Sequence, residues 1–171
     1  YASVASDGTL VYAGLSEISS GQLMLVTRDG KLVRTLGEAL PGVGVGAFSP
    51  DGRRLLYLAA ERQATDVYVW SFDGDKATRL TNTPESEGAP AWIPGSSRIG
   101  FSVPSGTCRS VFAMNADGTG TRELLAKEAD EPSFTADGRE FVYATVCQDR
   151  RGLDRAIVGR AGVTPLLDAP A

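Results

Sequence analysis

Ala47-Phe48-Ser49-Pro50-Asp51-Gly52-Arg53-Arg54-Leu55-Leu56-Tyr57 holds a Ser-Pro-Asp-Gly turn between two apolar segments. Asp-Gly supplies the positive-φ conformations that a tight hairpin requires, and Pro presets the first corner of the turn. The Leu55-Leu56-Tyr57 run is bounded by turn residues and is short enough for a strand. The stretch therefore predicts two antiparallel strands joined by a tight connection.

Working outward, the same punctuation returns. Asp7-Gly8 lies 44 residues before Asp51-Gly52, Gly95-Ser96 lies 44 after it, and Asp137-Gly138 another 42 on. A second series, Asp29-Gly30, Asp73-Gly74, Asp117-Gly118 and Ala161-Gly162, keeps a 44-residue spacing throughout. Between the turns stand Leu23-Met24-Leu25-Val26, Val67-Tyr68-Val69-Trp70, Val111-Phe112-Ala113-Met114 and Ala156-Ile157-Val158, together with Leu10-Val11-Tyr12, Ile99-Gly100-Phe101 and Phe141-Val142-Tyr143. These runs are apolar on both faces, as in strands sandwiched between neighbouring sheets. No 3.6-residue apolar period persists, so almost no helix is expected.

Each unit thus reads as strands a, b, c and d, the propeller-blade pattern. The predicted fold is an all-β propeller of four-stranded antiparallel blades, spanning about 2–36, 44–81, 88–125 and 131–167 within one propeller segment. A sandwich of hairpins rarely keeps so strict a period. A single blade cannot stand alone. Each buried apolar side chain contributes roughly 1.5–3 kcal/mol, whereas ordering the backbone costs about 1–2 kcal/mol per residue. Blades must therefore stack and share a core.

Composition narrows the function classes. The 171 residues are 42% hydrophobic and 22% charged, with a net charge of −4. No basic stripe is present to displace counterions from phosphates, so nucleic acid is not an expected partner. No run approaches eighteen apolar residues, and no membrane-inserting segment is expected. Histidine is absent. That removes Ser-His-Asp and Cys-His hydrolysis, His-ligated zinc and His general acid–base chemistry. Gly42-Val43-Gly44-Val45-Gly46-Ala47 satisfies a dinucleotide-loop pattern, but a strand and a turn follow it rather than a helix. Asp117-Gly118-Thr119-Gly120 lacks the alternating ligands and terminal Glu of a calcium loop. No catalytic residue, metal or cofactor is expected. Trp70 and Trp92 fall at apolar repeat positions and read as core.

The Ala47–Tyr57 stretch resembles the signature turn of the TolB-like, WD-type propeller repeat family. So do Pro90-Ala91-Trp92-Ile93-Pro94-Gly95 and Pro132-Ser133-Phe134-Thr135-Ala136-Asp137-Gly138-Arg139. Asp66-Val67-Tyr68-Val69-Trp70, Thr78-Arg79-Leu80-Thr81 and Met114-Asn115-Ala116-Asp117-Gly118-Thr119-Gly120 fit its strand-c and strand-d pattern. Gly95-Ser96 and Ala161-Gly162 depart from Asp-Gly but should still turn. The resemblance implies a ring of six or more blades, of which about four lie here; the chain, opening at Tyr1 inside a strand, reads as a piece. It implies a non-enzymatic interaction or sensor module of a bacterial envelope protein, outside the cytoplasm. Its partners would be a protein or peptide, plus further blades or another domain of the same chain. The family also includes propellers attached to Ser/Thr kinases, which blade one resembles most, and to prolyl oligopeptidases. The competing expectation is accordingly an accessory propeller that gates an attached hydrolase.

Variable loops on a rigid scaffold carry binding. The b–c and d–a connections are expected to be the longer ones and to share a rim. The b–c loops are read as Gly14–Gly21, Ala60–Thr65, Pro104–Arg109 and Cys147–Asp154. Candidate partner-binding residues on that rim are Glu61, Arg62, Asp66, Glu85, Glu87, Arg109, Asp130, Glu131, Asp149 and Arg150. Cys108 and Cys147, the only cysteines, fall in the b–c loops of adjacent blades. An even count on neighbouring loops admits a disulfide, and idle thiols are the alternative.

Overall fold

The computed structural model describes residues 2–15, 20–61, 64–147 and 150–169. Among these there is no helix; sixteen strands form four antiparallel sheets of four, each paired in chain order. By internal contacts the chain divides into two compact units, Tyr1–Pro84 and Glu85–Ala171.

The first unit holds β1 (Ala2–Val4), β2 (Leu10–Leu15), β3 (Ser20–Val26) and β4 (Leu32–Pro41) in one sheet. Its second sheet holds β5 (Gly44–Phe48), β6 (Arg54–Glu61), β7 (Ala64–Ser71) and β8 (Lys76–Arg79). Val11, Leu23 and Leu36 of the first sheet share a buried cluster with Leu55, Tyr57, Tyr68 and Trp70 of the second. This shared layer is what a lone sheet of this size would lack. Tyr57 and Tyr68 stack across the β6–β7 pair with centroids 5.2 Å apart.

In the second unit, β9 (Gly88–Ile93), β10 (Arg98–Ser105), β11 (Cys108–Asn115) and β12 (Glu123–Lys127) form one sheet. β13 (Asp130–Phe134), β14 (Glu140–Cys147), β15 (Arg150–Ile157) and β16 (Val163–Ala169) form the other. Val111, Ala126 and Ala129 pack against Phe141, Tyr143 and Ala156. Two glycines let these sheets approach. A Cβ on Gly100 would lie 2.5 Å from the Phe134 ring, and one on Gly138 would lie 2.1 Å from the Pro94 carbonyl oxygen.

The signature turns are held by their own side chains. Ser49 Oγ donates to Asp51 Oδ1 at 2.5 Å and accepts from Arg54 N at 2.9 Å, while Arg53 N donates to Asp51 Oδ1 at 3.0 Å. Thr135, Asp137, Arg139 and Glu140 repeat the arrangement. Gly95-Ser96 turns differently: Ser96 N and Oγ both donate to Ile93 O, and Arg98 N donates back to Ser96 Oγ.

The b–c connections correct the sequence reading. Instead of a loop over Pro104–Arg109, the β10–β11 ladder continues to Ser105↔Cys108, leaving only Gly106 and Thr107 between the strands. The β6–β7 ladder likewise reaches Glu61↔Ala64, and the β14–β15 ladder reaches Cys147↔Arg150. Backbone pairing carries these strand ends outward beyond the core, so their polar side chains mimic loop composition. Residues 16–19, 62–63 and 148–149, within the other expected b–c loops, lie outside the described residues.

Candidate interaction rim

In the second unit the β10–β11 hairpin, the β12–β13 connection and the ends of β14 and β15 come together. Their shared tie is a disulfide between Cys108 and Cys147, with Cα atoms 5.0 Å apart. It joins the first residue of β11 to the last of β14, so it links two sheets rather than two strands of one.

Arg109, next to that bond, is half-buried and acts as a fork. Its Nε donates to Ser102 Oγ at 3.0 Å, and its Nη2 donates to Ser102 O at 3.0 Å and Ser86 O at 2.9 Å. Asp130 Oδ1 lies 3.5 Å from Arg109 Nε, and the Arg109 carbonyl accepts from Ala129 N. A planar guanidinium suits this convergent geometry, which the point charge of lysine cannot reproduce. Asp130 Oδ1 also accepts from the Glu131 backbone N at 2.9 Å. Glu128 and Glu131, both exposed, have φ of 52° and 51°. Such left-handed backbone costs of order 1–3 kcal/mol per non-Gly residue and persists where its surroundings enforce it.

On the β14–β15 side, Asp154 is buried and accepts from Thr145 Oγ1 at 3.0 Å and Arg150 Nη2 at 2.8 Å. Burial first, then the Asp154 carboxylate, pushes the Tyr143 phenol up to about 12.

The other candidates differ from these in burial or in place. Asp66, in the first unit, is fully buried, receiving Arg79 Nη2 at 2.6 Å, with Thr81 Oγ1 3.4 Å away. Its charge is spent inside the sheet. Glu87 is also buried. Glu85 lies 3.4 Å from Arg122, and with Glu87 it flanks Ser86, whose carbonyl the Arg109 guanidinium holds. The Glu61 side chain and all of Arg62 and Asp149 lie outside the described residues. Of the candidate charges, the structure thus brings together Arg109, Asp130 and Glu131 around one edge and places Arg150 on the strand paired with Cys147. The buried networks were missed because burial is set by neighbouring sheets and leaves no local pattern.

Chemically, the rim offers exposed carboxylates, a half-exposed Arg150 and a rigid frame. No group of three or more His, Cys, Asp or Glu positioned for a metal occurs among the described residues.

Sheets and rim define an all-β module built of four-stranded propeller blades. The chain belongs to the TolB beta propeller domain family, whose family model matches residues 5–155. A Tol-Pal system protein TolB from Anaeromyxobacter sp. is 37% identical over 89 residues, covering 52% of this chain and 20% of the relative. The uncharacterized peptidase YuxL of Bacillus subtilis is 25% identical over 136 residues, covering 57% of this chain and 21% of the relative. The putative TolB from Agrobacterium tumefaciens superposes with a TM-score of 0.86 at 18% identity, covering 98% of this chain and 64% of that one. The chain therefore spans about a fifth of the length of these curated relatives.

Proposed function

We propose that this chain is a non-catalytic interaction module of a bacterial envelope protein, binding a protein or peptide partner on the rim around Arg109. The carrying observation is that this rim is preorganised. A disulfide, a four-contact guanidinium and two left-handed glutamates hold charged groups in place before any partner arrives. Preorganisation lowers the ordering cost of association. The disulfide supports an oxidising, extracytoplasmic setting, and the TolB relatives support an envelope role. Further blades of a larger ring complete the propeller in this reading.

A photocrosslinking residue at position 131 tests the rim in the native host, with position 117 on a c–d turn as control. Defined adducts from 131 and none from 117 are expected. Equal or absent labelling at 131 would remove the rim assignment.

The likeness to a peptidase relative favours a second reading, an accessory propeller beside a hydrolase domain. Labelling of the full-length gene product by a serine-directed fluorophosphonate would support it. The isolated chain, lacking histidine, would stay unlabelled.

A further inference from the structure

Asp-Gly occurs six times in the chain, beginning at Asp7, Asp29, Asp51, Asp73, Asp117 and Asp137. Glycine after aspartate leaves the carboxyl open to attack by the next backbone nitrogen, because no side chain shields it. The fold guards five of these pairs twice. Gly8, Gly30, Gly52, Gly118 and Gly138 each donate their backbone N–H to the carbonyl three residues back, at 2.8–3.1 Å. All five take positive φ, between 68° and 87°. Their aspartates are held as well: Asp7 by Thr9 N, Asp29 by Thr27 Oγ1, Asp51 by Arg53 N, Asp117 by Thr119 N and Asp137 by Arg139 N.

Asp73-Gly74 has neither guard. It lies in the connection between β7 and β8, where the left-handed position falls on Asp75, with a φ of 46°, instead of on the glycine. Among the described residues, Gly74 N makes no hydrogen bond, and the exposed Asp73 carboxylate meets Arg53 Nη1 alone, at 3.8 Å. So long and exposed an ion pair restrains a side chain little.

We propose that Asp73 is the residue at which this chain converts to isoaspartate. Gly74 N bonds to Asp73 Cγ and gives up its proton. The carboxylic hydroxyl leaves with that proton as water, closing a cyclic imide. Water then reopens the ring. Cleavage between the nitrogen and Cγ restores aspartate. Cleavage between the nitrogen and the Asp73 main-chain carbonyl carbon leaves the backbone running through the side-chain methylene, one atom longer. Water is the only co-reactant. Attack requires the nitrogen to release any hydrogen bond it makes, which is unfavourable at the five bonded glycines. At Asp7, Asp29, Asp51 and Asp137 the hydrogen bonds also hold the carboxyl below its ordinary value, so the reactive uncharged acid is scarcer there. The change at Asp73 falls beside Ser71↔Lys76, a rung of the β7–β8 ladder, and beside the Arg34–Asp75 ion pair that joins this turn to β4.

The test incubates the folded chain at about pH 5, where a fraction of ordinary carboxyls is protonated. Isoaspartate is then mapped by electron-transfer fragmentation of its peptides. The amount at position 73 should exceed that at the other five positions combined. In guanidinium chloride, which releases every turn, isoaspartate should spread over all six. Asp73→Glu, whose longer side chain disfavours the imide, should lose most of the isoaspartate while circular dichroism stays unchanged. The proposal is overturned if the folded protein isomerises evenly, first at another pair, or not at all while the denatured chain does. Position 73 leading by the same margin in denaturant would equally overturn it, since the selection would then lie in neighbouring residues rather than in the fold.

Discussion

At Asp51 the hydrogen bond from Ser49 holds the carboxyl below its ordinary 3.8, with the Arg53 backbone N–H adding to it. At Asp137 the Thr135 hydroxyl and Arg139 backbone do the same. A depressed folded pKa means that the unfolded chain takes up its proton first as pH falls. These turns therefore contribute fully above about pH 4 and lose their contribution as pH drops through the lower folded values. Asp51→Asn combined with Asp137→Asn should flatten the fall in denaturation midpoint as pH drops below about 4. Parallel acid profiles for the two proteins would count against this. Glycine supplies a second test at this scale. Gly138→Ala meets the Pro94 carbonyl oxygen at 2.1 Å and also carries a φ of 68°, whereas Gly52, with a φ of 70°, has open space beside it. Urea denaturation should show Gly138→Ala costing about 1–3 kcal/mol more than Gly52→Ala, since overpacking adds to backbone strain. Equal costs would place the whole effect in φ.

Among the elements, legibility divided along a physical line. The a–b and c–d turns could be read because their bonds lie within a few residues, as from Thr27 Oγ1 to Asp29 and from Lys31 N to Thr27. The b–c hairpins could not, because Ser105↔Cys108 and Glu61↔Ala64 are pairs fixed by a ladder that starts far away in the core. Asp66 shows the same limit: a lone acid after a polar stretch reads as surface, yet Arg79 and Thr81 enclose it. The disulfide joins elements 39 residues apart in sequence. In the chain-entropy picture, closing such a loop constrains the unfolded state by about 3–4 kcal/mol. Cys108→Ser with Cys147→Ser should lower the denaturation free energy by about that amount, with the non-reduced wild type showing no titratable thiol. An unchanged midpoint would mean that the bond fastens sheets that packing already holds.

For the whole molecule, the period was decisive for architecture and silent on the ligand. Four sheets of four followed from two interleaved turn series, whereas the contents of a rim or cavity depend on which distant side chains meet. The last sheet leaves Leu153, Ile157, Val163, Leu166 and Leu167 exposed, Leu167 at 57%. Apolar area of this kind is uncommon on isolated soluble proteins unless a partner covers it. The chain on its own should self-associate at high concentration, and Leu166→Lys with Leu167→Lys should shift it toward monomer in light scattering after size exclusion. A wild-type chain that stays monomeric throughout would show that this face tolerates water.

The position of the Cys108–Cys147 bond also bears on proteolysis. The β11–β12 connection, exposed over residues 117–122, falls between the two cysteines and ends at Arg122, a site that trypsin can cut. A cut there divides the polypeptide but not the molecule, because the two pieces stay covalently joined through sulfur. Nicked protein would run as one species without reductant and as two with it. Clipping would then be silent until a thiol arrived.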